Sequence, residues 1–233
     1  MLYRFPILAL CLFLNACSNK PFEPDNPAEP PEKEKIDILA LGDSYTKGEG
    51  IPFGTNFPNQ IVDSLRARGY DVTGLRVIAQ TGWRTDQLQT VVNQNHPDIQ
   101  DSTFSLVTLC IGVNNQYQGR PLDEFKIQFE QLLETALARA GGRRERVMVL
   151  SIPDYAYTPF GQTRPNAAQI SAQIDAFNAA KRQITEARGI AWIEVTDISR
   201  QGLVTPNLVA SDGLHPSAKQ YAEWVRRIVE VWD

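Results

Sequence analysis

The sequence predicts an α/β protein, a three-layer α/β/α sandwich built on a parallel sheet. Short, nearly uninterrupted apolar runs recur down the chain at residues 36–41, 72–80, 104–111, 147–152 and 191–195. Runs of that length suit strands buried on both faces, as parallel strands are. Helical periodicities lie between the runs, and strand–helix alternation is the pattern of crossover connections.

The chain has 233 residues, 42% of them hydrophobic and 21% charged. That supplies one domain with an ample core. Residues 1–16 stand apart from it. Arg4 is their only charge and residues 5–14 are nearly all apolar, which is the form of a signal peptide and too short for a membrane span. The segment ends Leu14-Asn15-Ala16-Cys17. This resembles a bacterial lipobox, in which the cysteine becomes the lipidated first residue, although Asn15 stands where a small residue is usual. A plain secretory signal is the alternative. Residues 17–35 hold the candidate lipidation site, Cys17, and a linker rich in proline and glutamate. Such a linker cannot bury enough apolar area to fold. In polyproline II geometry it reaches up to ~50 Å from a membrane surface. The expected location is therefore the cell envelope, with the membrane engaged through Cys17. The folded domain is expected over residues 36–233.

The first apolar run stops at Gly42-Asp43-Ser44, where a glycine permits a sharp turn. Phe125, Phe129, Leu132, Leu133, Ala136, Leu137 and Ala140 recur at helical spacing until Gly141-Gly142 stops them. Ile170, Ile174, Phe177 and Ile184 mark another helix. Tyr221, Trp224, Val225, Ile228, Val231 and Trp232 mark the last, with Ser217 and Gln220 at capping-box spacing ahead of it. No internal repeat or second domain is visible.

Composition excludes several functions. The net charge is −4, without a basic cluster, which argues against a nucleic-acid partner. Cys11, Cys17 and Cys110 are too few for a disulfide framework, and no pair stands at metal-ligand spacing. Cys110 lies within an apolar run and reads as core.

The remaining polar signals follow the strand-like runs. Thr81-Gly82-Trp83-Arg84-Thr85 follows the second, Gly112-Val113-Asn114-Asn115 the third, and Ser211-Asp212-Gly213-Leu214-His215-Pro216 lies beyond the fifth. A parallel sheet gathers such positions along one edge with Ser44, where open α/β sheets bind ligands. A serine hydroxyl needs a base to become a nucleophile. The histidines are His96 and His215. His96, in Asn95-His96-Pro97, sits at a predicted helix end, where a cation suits the helix dipole, and reads as structural. Asp212 precedes His215 by three residues, close enough for its carboxylate to reach Nδ1 and leave Nε2 for Ser44. Acyl transfer also needs donors for an oxyanion. The N–H of Ser44, the N–H of Gly82 and the amide of Asn114 are the candidates.

Gly42-Asp43-Ser44, Gly82, Gly112-Val113-Asn114 and Asp212-Gly213-Leu214-His215 resemble, in order, the four signature blocks of SGNH (GDSL-type) hydrolases. The resemblance runs from about residue 36 to the C-terminus. It implies a flavodoxin-like fold with five parallel strands and no metal or cofactor. It implies Ser44 as nucleophile, His215 as base, Asp212 as the orienting acid, and Ser44, Gly82 and Asn114 as the oxyanion hole. The third block usually reads Gly-x-Asn-Asp, and Asn115 stands in its last position here. The serine is not in a Gly-x-Ser-x-Gly elbow, which separates the chain from the α/β-hydrolases.

The expected function is hydrolysis of carboxylic esters through a Ser-His-Asp triad and an acyl-enzyme. The expected substrates are short O-acyl groups on glycans or small lysophospholipids. An O-acyltransferase shares the first half-reaction, and a non-catalytic glycan-binding lipoprotein shares the fold. Trp83, Asn115 and Tyr117 lie on strand-end loops and are candidates either to line an acyl or sugar pocket or to pack. Residues 154–161 form an aromatic loop on the same edge.

Overall fold

The computed structural model describes residues 35–93, 96–100 and 102–232. The expected signal segment, Cys17 and the linker before Lys35 lie outside them. Five parallel strands form one sheet: β1 (Lys35–Gly42), β2 (Asp71–Ala79), β3 (Leu106–Cys110), β4 (Val147–Leu150) and β5 (Ala191–Ile193), in the order β2-β1-β3-β4-β5. All five sequence-predicted strands are present, with ends shifted by at most two residues. This is the doubly wound order of the flavodoxin-like fold.

Burial along the strands follows that order. β3 and β4 are buried throughout, and β1 is buried from Ile38 onward. The outer strand β2 differs. Thr73, Arg76 and Val77 are exposed there.

The connections supply the covering layers. Short α1 (Ser44–Lys47) and longer α2 (Phe57–Ala67) follow β1, and α3 (Thr85–Asn93) follows β2. After β3 come α4 (Val113–Tyr117) and α5 (Leu122–Arg139). After β4 come α6 (Pro159–Gln162) and α7 (Ala167–Ala187), and α8 (Thr196–Ser199) and α9 (Ala218–Trp232) close the chain. α2 packs on α9 in one layer, and α3, α5 and α7 pack in series in the other.

Helix ends follow local chemistry. At the end of α5 the N–H of Gly141 donates to Ala138 O at 3.0 Å and that of Gly142 to Leu137 O at 2.9 Å. This is a Schellman motif with a left-handed glycine, Gly141, at φ +66°. The capping box before α9 is half made. Ser217 Oγ accepts from the Gln220 N–H at 3.2 Å, but the Gln220 side chain donates to Leu208 O, 3.2 Å away. His96 differs from expectation. α3 ends at Asn93, and His96 instead opens a turn whose Ile99 and Gln100 N–H groups donate to its carbonyl at 2.9 Å. Its ring faces Asp98 at 3.7 Å.

β1 and β3 lie side by side at the centre, where the strand order reverses. The crevice beyond their carboxyl ends is the ligand site such a topology offers. Ser44 follows β1 and Asn114 follows β3, so both stand at its mouth.

Candidate active site

The turn from β1 into α1 admits only glycine at position 42. A Cβ there would meet Thr46 Oγ1 at 2.1 Å and the Cys110 carbonyl oxygen at 2.3 Å. Asp43 follows, 1% exposed, with Oδ1 accepting from the Tyr45 N–H at 3.0 Å. This bond and the Asp43 carbonyl, which accepts from Thr46 and Lys47, fix Ser44 as the first residue of α1.

His215 comes to Ser44 from the other end of the chain. Its Nδ1 stands 2.7 Å from Asp212 Oδ2, while Asp212 Oδ1 accepts from the N–H of Leu214 at 2.9 Å and of His215 at 3.0 Å. With Nδ1–H donated to Asp212, Nε2 carries the lone pair a base needs. Partial burial works to raise the Asp212 carboxyl, but the His215 ring and the two N–H groups outweigh it and hold it below its ordinary value. The His215 ring packs edge-on against Tyr45, 5.7 Å between centroids. Ser44 and His215 line one cavity of about 200 Å³, together with Gly82 and Asn114. They share it without a hydrogen bond to each other, a looseness common in unliganded sites.

Donors for a developing anion surround the same space. Among the described residues, neither the Ser44 N–H nor the Gly82 N–H has a hydrogen-bond partner. Asn114 Nδ2 donates to the Trp83 carbonyl at 2.9 Å. An amide carries two N–H donors, so this bond orients Asn114 and leaves the second for the cavity.

The three candidate pocket residues separate. Tyr117 lines the cavity and is 51% exposed. Asn115 does not line it. It is 1% exposed, with Oδ1 accepting from the Thr85 N–H at 3.1 Å and Nδ2 donating to Thr85 Oγ1 at 2.7 Å. Its amide is consumed in fastening the start of α3. Trp83 also stands outside the lining, half-buried against the core, and serves through its carbonyl.

The walls are apolar and only partly visible in the sequence. Tyr45, Val113 and Leu214 adjoin motif residues and line the cavity with Tyr155 and Phe160 of the aromatic loop. Buried Asp154 holds that loop. Its Oδ1 accepts from the Ala156 N–H at 3.0 Å, and its Oδ2 accepts from Ser171 at 2.5 Å and Arg200 Nε at 3.0 Å. The Phe160 N–H donates to Gly213 O at 2.9 Å, tying the loop to the one that carries His215. Cys110 is 1% exposed, and burial pushes its thiol up to about 12, so it is inert core.

Fold and site together define an α/β/α hydrolase with a hydroxyl, an imidazole and a carboxylate at the switch point of the sheet. Comparison with known proteins agrees. The model of the GDSL-like Lipase/Acylhydrolase family matches residues 40–223. The uncharacterized protein YpmR of Bacillus subtilis is 22% identical over 97% of this chain and 94% of its own length. Among solved structures, the lipase Lip_vut3 from a goat rumen metagenome superposes with a TM-score of 0.68 at 19% identity, covering 84% of this chain and 97% of that one. Axe2, an acetylxylan esterase from Geobacillus stearothermophilus, gives 0.61 at 18%, covering 84% and 94%. The chain belongs to the GDSL-like lipase/acylhydrolase family and is an ester-hydrolysing enzyme.

Proposed function

We propose that the protein is a serine esterase that removes short O-acyl groups from envelope glycans. The observation that carries this reading is the 2.7 Å Asp212–His215 pair opening on the cavity that also holds Ser44. His215 Nε2 takes the Ser44 proton as Oγ attacks the ester carbonyl. The N–H groups of Ser44 and Gly82 and the amide of Asn114 hold the oxyanion. His215 then gives the proton to the departing alkoxide, so the alcohol leaves and the acyl group stays on Ser44. Water, deprotonated by His215, attacks the acyl-enzyme, and Ser44 leaves with the proton returned. Asp212 stays ionised throughout, which its lowered carboxyl favours.

Cavity size supports a short acyl group. About 200 Å³ lies below the ~300–1,000 Å³ of pockets that enclose drug-sized ligands. In this reading Cys17 carries the lipid and holds the domain at a membrane of the cell envelope.

One experiment tests both parts. Membrane and soluble fractions of cells producing the protein, or Ser44→Ala, are assayed on p-nitrophenyl acetate and longer-chain esters. The expected activity is in the membrane fraction, falls with chain length, and drops at least ~10⁴-fold in the variant. Turnover surviving in Ser44→Ala overturns the nucleophile. Activity confined to the soluble fraction overturns the anchor.

A further inference from the structure

Tyr117 and Tyr155 line two cavities at once. One is the apolar cavity of Ser44. The other measures about 430 Å³ and is lined also by Gln116, Arg164, Asn166 and Gln173. Amides and a guanidinium replace the hydrocarbon of the first, and no carboxylate lines it.

Two of its groups are incompletely satisfied. Gln116 is 7% exposed and its Nε2 donates to Gln173 Oε1 at 2.8 Å. Its Oε1 is buried without a partner at hydrogen-bonding distance, although the Tyr155 hydroxyl faces the same amide. A buried acceptor in that state calls for a donor, which either the Tyr155 hydroxyl or a group entering the cavity can supply. Arg164 lies over the Phe160 ring at 4.4 Å and donates from Nη2 to Tyr117 Oη at 3.1 Å. Its Nε is buried and unpaired, and among the described residues it makes no ion pair. A guanidinium clamped by a ring and a phenol keeps a fixed donor edge, the geometry that takes a planar carboxylate by two parallel bonds.

We propose that this second cavity binds the alcohol part of the substrate, and that this part is an acidic sugar. The sugar carboxylate pairs with Arg164. Ring hydroxyls donate to Gln116 Oε1 and bond the amides of Asn166 and Gln173, and Tyr117 is the shared wall between sugar and acyl group. An alkyl chain would leave the amides and the guanidinium stripped of water without partners. The proposal rests on the esterase reading only in calling the sugar a substrate; binding itself needs no catalysis.

The test is calorimetric titration of the full chain with digalacturonate, with digalactose as its neutral counterpart, and with glycerol 3-phosphate. Digalacturonate is expected to bind at least tenfold more tightly than the other two. Arg164→Lys keeps the charge but loses the fork, and is expected to weaken digalacturonate tenfold or more while leaving digalactose within threefold. Gln116→Leu, checked by its melting curve, is expected to weaken both sugars. Equal affinity for the acidic and neutral dimers, no heat with either at millimolar concentration, or an Arg164→Lys that binds as wild type overturns the proposal. Tighter binding of glycerol 3-phosphate also overturns it, in favour of a lipid headgroup. Esterase assays on the same wild-type chain separate the two readings. Sugar binding by a wild-type chain without esterase activity removes the esterase and keeps the groove, and esterase activity without sugar binding does the reverse.

Discussion

Asn114 and Asn115 are neighbours in the chain, and their amides do opposite things. Asn114 is held by one bond to the Trp83 carbonyl and lines the cavity. Asn115 is buried and joins Thr85 through both ends of its amide. Thr85 is itself fully buried and passes the chain of bonds on to Gln128 at 2.5 Å. The two should therefore separate on substitution. Asn114→Ala is expected to lose about 10²–10³ in kcat on p-nitrophenyl acetate, the cost of one oxyanion donor, with little change in stability. Asn115→Ala leaves the Thr85 N–H without an acceptor in the interior. It is expected to cost about 1–3 kcal/mol of stability while kcat stays within about tenfold of wild type, because no donor to the oxyanion is lost. Urea unfolding beside steady-state kinetics on both variants reads the split. A stable but inactive Asn115→Ala would move the donor role to that residue.

At the scale of elements, the loop between α1 and α2 joins the two halves of the site. Glu49 accepts a short hydrogen bond from the Thr81 hydroxyl, and Lys47 Nζ reaches both Glu49 at 3.1 Å and Thr81 at 3.4 Å. The Thr81 hydroxyl, then the Lys47 ammonium, hold the Glu49 carboxyl below its ordinary value. Thr81 immediately precedes Gly82, so this clasp fixes one candidate oxyanion donor. One residue after Glu49 the same loop presses against the acid of the candidate triad. A Cβ on Gly50 would stand 2.3 Å from Asp212 Oδ2, and its φ is +79°. Gly50→Ala must move either the loop or the carboxylate that orients His215. The expected result is a fall of at least about tenfold in kcat with KM little changed, because a small misplacement of catalytic groups acts on the chemical step. A variant with wild-type kcat would show that the loop yields and Asp212 stays. This loop was not legible in the sequence. It has no periodicity, and its partners lie far along the chain. The central strands and α5, α7 and α9 were legible because burial on both faces or along one stripe writes a period into the residues. Ser44, Asp212 and His215 were legible as a group because the sheet gathers strand ends on one edge. Asn115 and Trp83 were ambiguous from sequence because a strand-end loop has two sides. One side faces the cavity and the other faces the next helix.

At the scale of the molecule, the site sits on charges that the core encloses. Asp43, 1% exposed, follows β1 and caps α1, with Oδ2 lacking a partner among the described residues. Lys181 of α7 is fully buried and donates to Ile111 O at 2.9 Å and Leu150 O at 2.7 Å, capping the ends of β3 and β4. Burial lowers its ammonium to about 8. For Asp43, burial dominates the Tyr45 N–H and the Lys181 charge, and raises the carboxyl from 3.8 to about 7. Between those two values the folded chain holds a proton that the unfolded chain has released. Linkage then makes stability fall as pH climbs through that window and level off above about pH 7. Asp43→Asn keeps an oxygen for the Tyr45 N–H and removes the titration. Its stability relative to wild type is therefore expected to rise between about pH 4 and pH 7, by up to roughly 4 kcal/mol. Lys181 acts in the opposite sense but only above about pH 8, so unfolding in urea at pH 5, 6 and 7 isolates the carboxyl. A stability difference that stays flat across those three values would mean that Asp43 is ionised throughout, its charge held by Lys181 at the centre of the fold.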